Sequence, residues 1–160
     1  MKKLLSFAAV GLLMLVLSGC MGNPNTPEGV ATSAMECLVK KDYAGYVDLM
    51  YFKGKEELSK DEKAQFVSIL EEKAGKDMEQ KGGIKEFKIG VPKLDGDKAD
   101  VPVDITYGDG STKNDNIAVI KTPDGDWKLN SGKLSKNVLN ISYVPNSALP
   151  ASFGHIFSNQ

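Results

Sequence analysis

Two thiols, one imidazole and a row of aspartates are the groups in this chain that could do chemistry, and their surroundings decide what each can do. The cysteines are Cys20 and Cys37, and His155 is the only histidine. Every basic side chain is a lysine, so the bidentate fork that usually clamps carboxylates and phosphates is missing. Cys37 falls at an apolar helical position with only Lys40 and Lys41 one turn on. It reads as a small core residue, not as an activated nucleophile. His155 lies in a tail with little periodicity, which leaves imidazole acid–base catalysis without a scaffold. The aspartates Asp95, Asp97, Asp100, Asp109, Asp115, Asp124 and Asp126 suggest calcium at first sight. An EF-hand loop requires acids or amides at positions one, three and five, then Gly at six. Counting from Asp95, the fifth position is Ala99 and the sixth Asp100, so the pattern fails. Asp95-Gly96, Asp109-Gly110 and Asp124-Gly125 are ordinary hairpin turns. Neither a metal nor a cofactor is expected.

Cys20 is different. Met1-Lys2-Lys3 is positive, Leu4 to Leu17 is almost wholly apolar, and Leu17-Ser18-Gly19-Cys20 follows. A charged start, a short apolar core and small residues before a cut define a secretory signal. The core is too short for a comfortable membrane span of about 20 residues. The last four residues resemble the lipobox of bacterial lipoproteins. That resemblance implies cleavage after residue 19, diacylation of the Cys20 thiol, and a membrane partner reached through lipid. Two acyl chains hold stably, since each buried methylene contributes roughly 0.8 kcal/mol. Cys20 also leaves Cys37 without an intramolecular disulfide partner.

Without Lys2 and Lys3, 18 lysines face 21 acids, a formal net charge of −3 for the mature chain. A nucleic-acid partner is not expected from that balance. Residues 20–26 read as a lipidated tether, 27–131 as one domain and 132–160 as a weakly structured extension. Met21, not Asp, follows the cysteine. By analogy with enteric bacteria, that predicts an outer-membrane position facing the periplasm.

The elements that must position any site fall in two blocks. Thr26, Asp42 and Ser59 are N-cap residues for three helices, the third with Glu62 as a capping box. Val30, Ala34, Cys37 and Leu38 form the apolar stripe of the first, and Tyr43, Tyr46, Val47 and Met50 that of the second. Phe66, Ile69, Leu70, Ala74 and Met78 mark the third, which Gly82-Gly83 ends. The period then changes to two. Phe87, Ile89 and Val91 alternate, as do Ala99, Val101, Val103, Ile105 and Tyr107. Strands over 117–121 and from Trp127 to Leu129 complete four antiparallel strands. The predicted class is α+β: three N-terminal helices packed on a curved four-stranded antiparallel sheet.

This order resembles the cone-shaped, cystatin-like superfamily of nuclear transport factor two and ketosteroid isomerase. The lipobox close to Thr26-Pro27-Glu28, the Asp42-Tyr43 helix start and the Gly125-Asp126-Trp127-Lys128-Leu129 strand resemble its small bacterial lipoproteins with an uncharacterised domain. The resemblance covers residues 26 to 131. It implies a sheet curved around the long helix with an apolar pocket at the open end, for which Tyr46, Phe66, Tyr107 and Trp127 are lining candidates. Core packing is the alternative for Tyr46 and Tyr107. Enzymes of the superfamily place an Asp, Tyr or His inside the cone. The best strand presents no acid inward, since Asp100 and Asp104 fall on its other face. The expectation is therefore a non-catalytic domain that binds a small apolar molecule or packs shut. The alternative is a module that docks an envelope protein or a second copy. Because the aspartates read as turn residues, millimolar calcium or a chelator should leave the melting temperature unchanged. A rise of several degrees with calcium would refute that assignment.

Overall fold

The computed structural model describes residues 25–54 and 57–133. The expected signal peptide, Cys20, most of the 132–160 extension and His155 lie outside the described residues. Helix α1 spans Pro27–Val39 and α2 Tyr43–Asp48. A two-residue strand β1, Met50–Tyr51, precedes the long helical run of α3 (Lys60–Leu70), a π turn (Glu71–Gly75) and α4 (Lys76–Gln80). Strands β2 (Ile84–Ile89), β3 (Lys93–Asp95), β4 (Lys98–Tyr107), β5 (Thr112–Lys121) and β6 (Trp127–Asn130) follow, then a 3-10 turn at Ser131–Lys133.

The expected caps are all formed. Thr26 accepts from the Gly29 N–H at 3.0 Å and Asp42 from that of Gly45 at 2.8 Å. Ser59 and Glu62 make the reciprocal capping box. Each satisfies N–H groups that the first helical turn leaves without a partner.

The fold class is α+β, but the sheet differs from expectation. It has six strands, not four, in the order β1-β6-β5-β4-β2, with β3 also on β4. It is mixed, because β1 runs parallel to β6, with Met50 opposite Leu129. Met50 therefore leaves the α2 stripe. The helix stops at Asp48, and the residue at the next apolar position is buried as a strand residue instead. Strand β5 begins at Thr112, five residues before the apolar run that first signals it. Strand β2 ends at Ile89, and Val91 is 84% exposed. Gly90 and Pro92 flank Val91, and the proline ring removes a ladder donor there.

The helix laid across the sheet is α1, which touches β2, β4, β5 and β6, while α3 packs on α2. This corrects the expected sheet wrapped around the long helix. The reason is side-chain size. Ala31, Ala34 and Met35 are completely buried, and two methyl-sized side chains allow α1 to approach the sheet closely. The inner face of β4 is as read: Ala99, Val101, Val103, Ile105 and Tyr107 are all buried.

In the long helix the buried residues Phe66, Leu70, Ala74 and Met78 recur every four positions. In an ideal α-helix that spacing drifts by about 40° per step. The π turn between Leu70 and Lys76 adds a residue to one turn and keeps Ala74 and Met78 on the buried side. Gly75 in that turn admits the Tyr43 hydroxyl, which a Cβ would meet at 2.9 Å. The helix end is fastened to the β4–β5 turn by Gly108 N–H to Gly83 O (2.9 Å) and Asp109 N–H to Lys81 O (2.9 Å).

If α1 depends on small residues for its approach, Ala34→Leu should destabilise by about 1–3 kcal/mol through overpacking. Urea unfolding followed by circular dichroism measures it. A neutral effect would mean that α1 is not in close contact there.

Candidate functional site

Tyr46, Phe66 and Tyr107 are 5%, 6% and 3% exposed and belong to one core. Phe66 packs on Phe52 in a tilted arrangement, with ring centroids 5.1 Å apart and planes at 52°. Trp127 is half-buried and packs against the same core. The strand register separates the candidates. Trp127 lies opposite Lys121 at one end of the sheet, and Tyr107 opposite Ile84 at the other. Ten residue positions at about 3.3 Å each put them roughly 30 Å apart along the strands. One small pocket cannot be lined by both.

The register also brings in a residue that the sequence reading assigned to a loop. Asp115 pairs with Val103 in β5, and its side chain lies on the inner face with Ile117 and Val119. Its side chain is 1% exposed. One carboxylate oxygen accepts from the Asn116 N–H at 2.7 Å, and the other lies 3.3 Å from Lys113 Nζ. The expectation of no inward acid holds for β4 and fails for β5. Counting back by twos from Val119 and Ile117 reaches Asp115, so the parity was available once the Asp109-Gly110 turn fixed the hairpin.

Electrostatics around this acid are shaped by burial. Burial pushes the Tyr46 hydroxyl far above the usual tyrosine range, and the Asp115 charge and Cys37 add to the shift. Tyr107 is also raised, first by burial, with Lys81 opposing. Lys81 sits 4.8 Å above the Tyr107 ring and is 2.9 Å from Asp77. The Cys37 thiol is pushed up by burial first and by Asp42 next, which moves it away from a reactive thiolate. Burial thus favours the protonated forms of Tyr46, Tyr107 and Cys37.

The aspartate-rich loops work as turns. Asp109 Oδ1 accepts from the Ser111 N–H at 2.8 Å and its hydroxyl at 2.6 Å, with Gly110 at φ +85°. The Asp124-Gly125 turn closes through Thr122 N–H to Asp126 O at 2.7 Å, with Gly125 at φ +93°. A shallow groove on the outer sheet face is lined by Lys93, Asp95, Lys98, Asp100, Ala118 and Asn130. Further along that face Asn114 bonds Asp104 across the β4–β5 pair. None of the helices among the described residues is long and apolar enough to cross a membrane.

A three-layered arrangement of long helix, short helices and mixed sheet, closed around aromatic and aliphatic side chains, defines a small α+β domain. The chain belongs to the DUF4878 family, a domain of unknown function, whose model matches residues 18–130. This bears out the expected uncharacterised domain. No curated protein matches the chain. It is similar to a crystal structure from Campylobacter jejuni, a protein provisionally described as an NTF2-like transpeptidase. That likeness has a TM-score of 0.49 and 21% identity over 66% of this chain and 97% of the other.

The raised Tyr46 pKa carries a sign for stability. In the unfolded chain the phenol titrates near the ordinary tyrosine value of about 10, while in the folded domain it holds its proton to higher pH. The contribution is therefore complete below about pH 10 and is lost as pH rises further. Lysines titrate in the same window, so Tyr46→Phe isolates the effect. Its melting temperature should fall less steeply above about pH 10 than that of the unaltered chain. Parallel curves would show that Tyr46 is not buried as described.

Proposed function

We propose that this protein is a lipid-anchored, non-catalytic domain of the bacterial envelope that works by docking a protein on its sheet surface. The partner is another envelope protein or a second copy of the chain. The observation that carries this reading is the burial of Tyr46, Phe66 and Tyr107. The side chains that would line a ligand cavity are buried in the domain core instead. Anchoring is supported by Leu17-Ser18-Gly19-Cys20 and by a family match that starts at Ser18, so that it takes in Cys20. Export leaves the domain in the envelope, and Met21 after the cysteine favours the outer membrane, facing the periplasm.

The docking surface is the outer sheet face, where Lys88, Asp100, Asp104, Asn114 and Asn116 are exposed. Polar residues in such density suit a wet, reversible contact. A non-catalytic role is supported by the raised Cys37 thiol and by the enclosure of Asp115, which leaves its carboxylate no surface opening.

A second reading is that the sheet curves into a cone that opens to admit a small apolar molecule. The half-burial of Trp127, Phe87 and Ile89 beside the core favours it. Trp127 is the only tryptophan, so its emission reports the site directly. A saturable change on adding a fatty acid would support the cone, and no change supports docking.

Intact mass of the detergent-extracted protein tests the anchor. The expected species lacks residues 1–19 and carries acyl chains, and Cys20→Ala abolishes both changes. A full-length, unacylated mass in the unaltered protein would refute the lipoprotein reading. For docking, a photo-crosslinking residue in place of Asn114 should give one discrete adduct in the native envelope. Absence of any adduct there would remove the outer face from consideration.

A further inference from the structure

We infer that the end of the domain carrying the β3–β4 and β5–β6 turns lies against the bilayer that holds the anchor, with Leu94 in contact with lipid. The inference rests on lipidation at Cys20. Asn25, near the end of the tether, is the first described residue, and it is pinned to the β5–β6 turn. Its side-chain oxygen accepts from the Trp127 N–H at 2.9 Å, and its side-chain nitrogen donates to Asp126 at 3.0 Å. Five Cα steps separate Cys20 from Asn25, which spans at most about 16–18 Å. The turn at Asp126 cannot move far from the headgroups.

Leu94 sits at this same end. Lys121 N–H bonds Asp97 O at 2.7 Å, so the β3–β4 turn adjoins the β5–β6 turn. Across the sheet, Met50, Leu129, Val119, Ala99 and Leu94 occupy one register row. The first four are buried under the helices, while Leu94, at the sheet edge, is 68% exposed. An apolar row thus runs out of the core at the end that the tether holds near the membrane. The adjoining turns carry Asp95, Asp97, Asp124 and Asp126 against Lys98 and Lys121, so this end is acidic. Charge therefore does not draw this end to an anionic surface as a polybasic patch would, and its approach rests on the tether and on Leu94. The chain beyond Lys133 leaves from the opposite sheet edge, where Ser131 bonds Tyr51 O. Its point of departure makes lipid the better occupant.

The test uses the full, lipidated chain in phosphatidylethanolamine–phosphatidylglycerol vesicles containing a headgroup spin-labelled phospholipid. Two reporters are compared in a Trp127→Phe background: Leu94→Trp, and Val39→Trp at the far end of α1, about 20 Å along the helix. Val39 is itself exposed, so both positions accept the larger ring. Quenching at position 94 should be several-fold stronger than at 39. Equal quenching, or more at 39, overturns the orientation. Weak quenching at 94 together with protection from iodide would assign the patch to residues 134–160 or to a second copy, and also overturns it. Mass measurement of the same sample separates the two levels. Absent acyl groups defeat the anchor itself, whereas an acylated protein with equal quenching defeats only this inference.

Discussion

The contact between α1 and the sheet is the constraint from which the rest of the domain follows. A helix lies closer to strands where its facing side chains are short, and Ala31 and Ala34 give α1 such positions beside the larger Val30, Met35 and Leu38. Opposite them, β-branched residues dominate the inner surface: Val101, Val103, Ile105, Ile117 and Val119. Stiff β-branched side chains pack well on a pleated surface and lose little freedom there. With α1 across the sheet, the long helix packs on α2, and its buried stripe joins the same core.

Two local adjustments make this arrangement possible. The π turn rephases a four-residue apolar repeat that a regular helix would spread around its circumference. At the helix end, Gly82 and Gly108 come so close that a Cβ on Gly108 would meet Gly82 O at a forbidden distance. Hydrogen bonds from Gly108 and Asp109 to Gly83 and Lys81 then join the last helical turn to the β4–β5 hairpin. Helix and sheet, far apart in the chain at their starts, are tied where the chain passes from one to the other.

Among the described residues, charge is arranged with one exception to the usual rule. Lysines and acids occupy the surface, and exposed pairs such as Lys41–Glu79 and Lys40–Glu36 contribute little to stability. Asp115 is the exception, held inside beside Lys113 and within the field that raises Tyr46. A buried ion pair of this kind is weak evidence for stability, because desolvation offsets the attraction. Its consequence here is local: it sets polar groups among the aliphatic side chains of the inner face.

Much of this domain was legible in the residues alone. The helix starts at Thr26, Asp42 and Ser59 follow from side chains that bond backbone within three residues, and the Asp-Gly turns follow from local conformation. The alternation of Ala99 to Tyr107 fixes which face of β4 is buried, because a strand has only two faces. The remainder depended on contacts between distant segments. Met50 and Tyr51 carry no strand signal of their own, and pairing with Leu129 and Asn130 makes them one. Asp115 looked like a loop acid because charged residues mask the start of β5, and its inward position comes from pairing with Val103. The choice of α1 over the longer helix to cover the sheet was decided by which face could approach most closely. Trp127 and Tyr107 share a buried side of the sheet by parity, yet the register places them at opposite ends. Periodicity within a segment is set by its own residues, whereas register and layer order are set by partners that no single segment contains.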